Sequence, residues 1–230
     1  MKYKCEISFR TQYGGVMATW IVHLRIADYL LSQVPNLVNK EYVVGNIAPD
    51  AGEPNKDWTE FTPPGYITHW IDQEIGMIQL EKIEKQYLHN CNYRLPFYLG
   101  YYTHLVVDTY WGNLVKQYNK THFGREKNVD PEIVKCFRRE TTFIEKEYYS
   151  NNKNKKAFEI FLSITEFENR YFDYFSKEAI IKKVDYIQKY MLRPNEPINC
   201  VYLNAKLMDK WVKKVSTDVL SHFEEKALLK

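Results

Sequence analysis

His104 and Asp108 lie four residues apart in a segment with strong helical periodicity. On a helix this spacing places both side chains on one face, about one turn apart, where an imidazole nitrogen and a carboxylate oxygen can bind the same cation. The same spacing also suits a hydrogen-bonded His–Asp pair without any ion, which is the more common interpretation of an isolated motif. The motif alone therefore leaves both forms open.

Three more residues of the same chemical types precede this motif. His23 lies on the apolar stripe of a predicted helix, where a lone histidine is more often a core residue than a ligand. Asp50 and His69 flank a long loop, and a shared ion would explain why such a loop is ordered. Three imidazoles and two carboxylates suit zinc, manganese or iron. We therefore predict a metal site formed by His23, Asp50, His69, His104 and Asp108.

The three remaining histidines are not part of this predicted ligand set. His89 follows a polar helix face, His122 lies in a basic segment and His222 lies in the last predicted helix. We expect all three to be surface or structural residues.

The elements that position the predicted ligands are helices. The clearest runs from Pro96 to about Tyr118, and its apolar stripe includes the positions of His104 and Asp108. Asp130 and Pro131 form a good helix start signal. The predicted helices span residues 17–34, 67–89 with interruptions, 96–118, 131–149, 156–175, 177–192 and 201–226.

Residues 36–68 contain repeated proline and glycine and no sustained period, which predicts a long loop. Its apolar residues favour an ordered loop. No internal repeat and no alternating strand pattern is present. The predicted fold class is all-α, a multi-helix bundle with a long ordered loop near the metal site. The 19 Tyr and 12 Phe residues are expected to build much of its core.

Helical periodicity begins abruptly at Met17. We expect residues 1–16 to be a non-native or disordered extension and residues 17–230 to form a single helical domain, since a chain of this length can bury a substantial core.

Composition and charge exclude several classes of protein. Hydrophobic residues make up 45% and charged residues 27% of the chain, as in ordinary globular proteins rather than disordered ones. A net charge of +3, from 32 basic and 29 acidic residues, is too balanced to require a polyanionic partner, so no nucleic acid is expected.

The sequence predicts a cytoplasmic protein. It has no apolar run of about eighteen residues and no apolar signal core near its start, which argues against a membrane span and against secretion. Its cysteines are widely spaced and form no CxxC pair, so reduced thiols are expected at Cys5, Cys91, Cys136 and Cys200.

Several segments together resemble the zinc-dependent phospholipase C family, in particular its bacterial cytoplasmic branch. The resemblance covers roughly residues 17–115. It is carried by segments at residues 20–28, 45–50, 68–69 and 98–108, which read WIVHLRIAD, GNIAPD, TH and YLGYYTHLVVD. The family shares its all-helical fold with secreted three-zinc phospholipases and with single-strand nucleases, so the resemblance implies that fold.

The resemblance also implies a division of the ligands. His69, His104 and Asp108 correspond to ligands of one metal, with Asp50 completing or bridging it. His23 corresponds to a ligand of a neighbouring metal that also uses Asp108.

Two departures from the secreted enzymes reduce the expected number of ions. There, an N-terminal Trp binds the neighbouring ion through its amino group and carbonyl, whereas Trp20 is internal here. The secreted enzymes also supply a further ion with a His soon after the ligand helix and an HxxxE pair on a later one. Residues 109–114 contain no histidine. We expect one or two ions rather than three.

The chemistry expected of this site is hydrolysis of a phosphate ester by a metal-activated water. Asp50 is the predicted catalytic residue, which would orient the water and assist as a general base. The substrate is expected to be a small-molecule or lipid phosphoester. Residues 51–66, with Trp58, Phe61 and Tyr66, would form one wall of the substrate pocket or simply pack. The alternative function is a non-catalytic, metal-stabilised binding or sensing protein.

Overall fold

A computed structural model describes residues 17–37, 39–57, 59–89, 95–124 and 129–229. The helices among them are α1 (Trp20–Gln33), α2 (Lys40–Gly45), α3 (Gly65–Thr68), α4 (Leu80–Ile83), α5 (Leu95–Phe123), α6 (Pro131–Asn151), α7 (Lys156–Leu162), α8 (Ala179–Met191) and α9 (Ala205–Glu225). Short 3-10 turns span Pro35–Leu37 and Ala48–Asp50, and a π-helical turn, Glu84–Leu88, extends α4. Two antiparallel strand pairs join β1 (Glu53–Pro54) to β2 (Phe61–Thr62) and β3 (Ile71–Asp72) to β4 (Met77–Ile78). The predicted all-α fold is confirmed.

Helix α5 lies at the centre of the core and contacts α1, α2, α4, α6 and α9. The predicted stripe through Phe97, Tyr101, Trp111 and Val115 is buried, since none of these residues is more than 1% exposed. Because His104 and Asp108 share that side of the helix, the burial of the stripe carries both polar side chains into the interior.

Two glycines set the close approach of α2 to α5. A Cβ atom at Gly100 would collide with the carbonyl oxygen of Tyr42, and one at Gly45 would collide with the carbonyl oxygen of Phe97. The backbones can therefore meet only because neither position has a side chain. This contact also fixes Asn46, the residue directly after α2, over α5.

We expect Gly100→Ala to destabilise the protein by about 1–3 kcal/mol or more, because the added methyl forces two packed backbones apart. Gly112→Ala on the same helix is the matched control, since a Cβ there meets nothing within 4 Å. Removing glycine from a helix interior should stabilise the control by about 0.5–1 kcal/mol. Urea unfolding of both variants measures the difference, and equal effects would show that the backbone contact is not tight.

The prediction of an unbroken loop over residues 36–68 is wrong in part. The segment contains α2, the 3-10 turn Ala48–Asp50, the β1–β2 pair and α3. A helix of six residues is too short to show a period. Its start is nevertheless encoded, because the side chain of Asn39 accepts a hydrogen bond from the Tyr42 amide at 2.8 Å.

Two predicted helices differ in the structure. Within residues 67–89, the β3–β4 pair precedes α4, so helix is confined to its ends. The helix predicted over 156–175 ends at Leu162, and the chain beyond it is irregular. Phe167, Phe172 and Phe175 are buried there at spacings that imitate a helix. Asn169 holds this stretch by donating hydrogen bonds to the carbonyls of Phe172 and Phe175.

The expected extension at 1–16 lies outside the described residues, as do Cys5, Cys91 and Trp58. The division into an extension and one helical domain at 17–230 therefore remains a prediction. Cys136 and Cys200 are free thiols, as expected.

Candidate metal centre

The fold brings all five predicted ligands together from four separate segments. His23 lies on α1, Asp50 ends a 3-10 turn, His69 follows α3 directly, and His104 and Asp108 lie on α5. His23 and His104 are fully buried, and His69 and Asp108 are each 4% exposed. Asp50 keeps the most contact with solvent, with 10% of its side chain exposed. The solvent-facing side of the cluster is therefore the side of Asp50.

Main-chain carbonyls fix the orientation of two imidazoles. Nδ1 of His104 donates to the carbonyl of Asn46 at 2.7 Å. Nδ1 of His69 lies 3.0 Å from both the carbonyl of Gly65 and the hydroxyl of Thr68. A carbonyl oxygen only accepts, so Nδ1 carries the hydrogen in each ring, and Nε2 of a neutral ring presents its lone pair. Imidazoles that bind metals are held in this way.

The lone pairs converge on one another and on carboxylate oxygens. Nε2 of His104 lies 3.3 Å from Nε2 of His69 and 3.0 Å from Oδ2 of Asp108. Nε2 of His69 lies 3.7 Å from the same Asp108 oxygen and 3.5 Å from Oδ1 of Asp50. These atoms repel one another unless a proton or a cation lies between them. One proton on His104 would satisfy the pair with Asp108 but not the other contacts.

The separations match those around a tetrahedral zinc ion. Bonds of about 2.0–2.2 Å place tetrahedral ligands roughly 3.3–3.6 Å apart. The four separations between these atoms are 3.0, 3.3, 3.5 and 3.7 Å. These four contacts are compatible with zinc ligation, and the ligand atoms of Asp50, His69 and His104, like those of His23, His104 and Asp108, all lie within 4.8 Å of one another.

His23 faces the other oxygen of Asp108, Oδ1, at 3.4 Å. Its ring stacks on that of His104, with centroids 3.8 Å apart and planes inclined by 3°. Neither ring nitrogen of His23 has a hydrogen-bond partner among the described residues. A buried ring nitrogen without a hydrogen-bond partner in the protein is expected to contact a water molecule or an ion. His23, His104 and Asp108 form one of two groups of three candidate ligands, and His104 also belongs to the other group, with Asp50 and His69.

Electrostatics favour a cation. Burial alone would raise the pKa of Asp108, but the charge and hydrogen bond of His104 outweigh it and hold that pKa well below its usual range. The pKa of Asp50 is likewise low, because His69 and His104 outweigh the effect of burial. Burial, followed by repulsion from His104, lowers the pKa of His23. Burial opposes protonation of His104, but the charge and hydrogen bond of Asp108 and the charge of Asp50 raise its pKa, so the His104 ring carries the positive charge that a bound cation would replace.

Three supporting groups were missed from the sequence. The indole Nε1 of Trp20 donates to Oδ2 of Asp50 at 2.7 Å, and the amide of Ala18 donates to Oδ1 of Asp108 at 3.0 Å. The third is the Asn46 carbonyl. Backbone groups leave no residue-type signal, and Trp20 fits an apolar helical stripe equally well. Only the spacing of Trp20 before His23 pointed to the site.

Two of the three aromatic residues predicted to form a wall of the substrate pocket lie in the described part of the chain. Phe61, on β2, lies 6.0 Å from the ammonium of Lys183 and so faces α8. Tyr66, on α3, is half-buried, and Trp58 lies outside the described residues. Among the described helices, none combines the length and apolar character that a membrane span demands.

His122 and Glu126 have the HxxxE spacing that a third ion would need. His122, however, is exposed and lies 14 residues beyond Asp108 on the same helix, about 21 Å along its axis. Its ring stacks on that of Tyr118. It therefore contributes nothing to the cluster, and Glu126 lies outside the described residues. His89 is also exposed, while His222 stacks on Tyr102.

Comparison with known proteins agrees with this geometry. The family model described as "Zinc dependent phospholipase C" matches residues 22–221, most of the chain and all five clustered residues. Neither the curated proteins nor the solved structures contain a significant match. The matched span also reaches beyond the segments that carried the resemblance, into the C-terminal helices α6 to α9. The chain belongs to the zinc-dependent phospholipase C family.

Proposed function

We propose that this protein is a metal-dependent hydrolase of phosphate esters, with phospholipase C-like phosphodiesterase activity. The observation that carries the proposal is the convergence of two Nε2 atoms, oriented by main-chain carbonyls, on the oxygens of Asp108 and Asp50. This arrangement of oriented imidazoles and carboxylates is the one expected of a metal site. Family membership supplies the reaction class.

Zinc is the proposed cofactor, and His69, His104, Asp108 and Asp50 are the residues proposed to hold one ion, with a second ion beside it still a prediction. A divalent cation held there would lower the pKa of a bound water and polarise a phosphoryl oxygen. His23 stacks on His104 and limits the motion of that ring. Any second ion would bind to His23 and Oδ1 of Asp108.

Asp50 is the proposed catalytic residue. Its Oδ2 is fixed by the Trp20 indole, so Oδ1 remains to face His69 and the approaching substrate. It lies on the solvent-facing side of the cluster and is ionised at neutral pH because of its low pKa. A carboxylate in this state can accept the proton of an attacking water.

One observation favours the alternative, a non-catalytic protein stabilised by its metal. The four proposed donors would close a tetrahedral shell, as in structural zinc sites, and His104 is fully buried. In an enzyme, a water molecule would have to replace Asp50 at the metal. In a structural site, Asp50 would stay bound to the metal.

Elemental analysis combined with a panel of phosphodiesters and phosphomonoesters separates the two functions. We expect about one zinc per chain and hydrolysis of at least one substrate class, both abolished by a chelator and restored by zinc. Zinc without turnover of any phosphoester would favour the structural role. Absence of zinc and of other metals would contradict both.

The substrate is proposed to be a small-molecule or lipid phosphoester rather than nucleic acid. The cytoplasmic location, and with it membership of the cytoplasmic branch, remains a prediction that cell fractionation tests.

A further inference from the structure

Lys183 lies close to the metal centre although the predicted site did not include it. Helix α8, which carries Lys183, contacts the 3-10 turn that ends at Asp50. The residue is only 6% exposed. Its ammonium group lies 5.8 Å from the rings of Trp20 and Tyr186 and 6.0 Å from that of Phe61. A lysine is rarely buried to this degree without a role.

Trp20 connects this lysine to the site. One part of its indole faces Lys183, while its Nε1 donates to Oδ2 of Asp50 at 2.7 Å. The positive charge therefore lies on the Asp50 side of the cluster, which is also the side that keeps contact with solvent. A ligand that reaches the metal from solvent would pass this charge.

A second cation, Arg138, adds to the positive charge that acts on Asp50. Arg138 lies on α6, is half-buried, and interacts electrostatically with the carboxylate of Asp50. Burial lowers the pKa of Arg138 and of Lys183, and the charge of Asp50 opposes the effect in both. Packing thus places Lys183 beside the Trp20–Asp50 pair, and Arg138 adds a second positive charge with which the Asp50 carboxylate interacts.

The aromatic rings around Lys183 also exclude one kind of ligand. Three rings about a cation resemble the cages that bind quaternary ammonium groups such as choline. Here the three ring centroids lie 5.8–6.0 Å from the protein's own ammonium, near the outer limit of a cation–π contact, so the rings already surround a positive charge. A second positive charge would be repelled from it.

We infer that Lys183, together with Arg138, forms an anion-binding subsite beside the metal that holds the substrate's phosphate. The enzyme would therefore prefer phosphoesters with a net negative charge over those with a cationic, choline-type headgroup. This inference depends on the proposed function in one respect only, namely that the bound anion is the phosphate group of a substrate.

Binding of inorganic phosphate to the zinc-loaded protein tests the subsite without turnover. We expect Lys183→Met to weaken phosphate binding about tenfold or more in isothermal titration calorimetry, since a charge-assisted contact is lost. Lys183→Arg should stay within roughly threefold of the wild type because it keeps the charge. Lys189→Met is the matched control, as this lysine lies on the same helix but is exposed and paired with Asp185.

Zinc content and circular dichroism establish that each variant is folded. Arg138→Met serves as an independent variant, and it should weaken phosphate binding in the same direction. Unchanged phosphate affinity in Lys183→Met and Arg138→Met, or no phosphate binding by the wild type, would overturn the inference.

Two phosphodiesters then test selectivity, bis(p-nitrophenyl) phosphate as the anion and p-nitrophenyl phosphorylcholine as the zwitterion. We expect the wild type to prefer the anion, and Lys183→Met to reduce the ratio of the two kcat/KM values about tenfold. An unchanged ratio would contradict the selectivity. If phosphate binding depends on Lys183 but neither ester is hydrolysed, the proposed hydrolase function fails while the subsite stands.

Discussion

Replacement of His104 by alanine should release the metal and lower the melting temperature. Nε2 of His104 faces both His69 and Asp108, and both groups of three candidate ligands include His104, so its removal takes a ligand from each group. It also leaves Asp108 buried without its main counter-charge. Breaking one member of a buried charged set costs about 3–5 kcal/mol, which corresponds to a fall of about 10 °C in Tm for a chain of this size. Elemental analysis and differential scanning calorimetry measure the two effects.

His89→Ala is the control for this variant. His89 is about half exposed and interacts with Glu84 rather than with the cluster. It should retain wild-type zinc content and nearly wild-type Tm. Equal zinc content in His104→Ala and His89→Ala would remove His104 from the ligand set.

Asp50→Asn should retain zinc but lose about 10²–10⁴-fold in kcat, since a positioned general base contributes that much to rate. The amide oxygen can still ligate and can still accept the hydrogen bond from Trp20 Nε1, so the geometry should survive. What is lost is the charge that accepts a proton. The measurement is kcat of the zinc-loaded variant with the best substrate of the phosphoester panel.

Asp57→Asn provides the matched control for the charge change, because Asp57 is an exposed residue in the turn between β1 and β2. Its kcat should be that of the wild type. Wild-type kcat in Asp50→Asn would exclude Asp50 as the base, and complete loss of zinc would mean that it acts as a ligand only.

Those parts of the fold that depend on long periodic segments were predictable from the sequence. Helix α5 repeats its apolar stripe over many turns, so one side was identified as buried, and His104 and Asp108 with it. The start of α6 was also encoded locally, because Asp130 accepts a hydrogen bond from the Glu132 amide at 2.9 Å and Pro131 follows it.

Short or tertiary features were not predictable in the same way. Helix α2 contains six residues, fewer than two turns, and is held by its contact with α5 through Gly45 and Gly100. The aromatic residues beyond Leu162 have helical spacing but pack as irregular chain, since Asn169 satisfies the backbone locally. Periodicity predicts which residues are buried, but it does not predict the backbone conformation in which they are buried.

The candidate metal site, like the fold, was predictable from the sequence only in part. The residue types of the five clustered side chains were visible in the sequence, whereas the groups that orient them are mostly backbone atoms. Lys183 gave no signal, because a lysine in an amphipathic helix is ordinarily expected on the solvated face. Its burial against Trp20 depends on how α8 packs on the turn that carries Asp50.

The position of the metal shows directly whether His69, His104 and Asp108 bind zinc. Crystals of the purified protein, measured on both sides of the zinc absorption edge, should show an anomalous peak within about 2.0–2.2 Å of Nε2 of His69, Nε2 of His104 and an oxygen of Asp108. Peaks at other residues, or hydrogen-bonded histidines with no peak between them in protein that was loaded with zinc, would contradict the account.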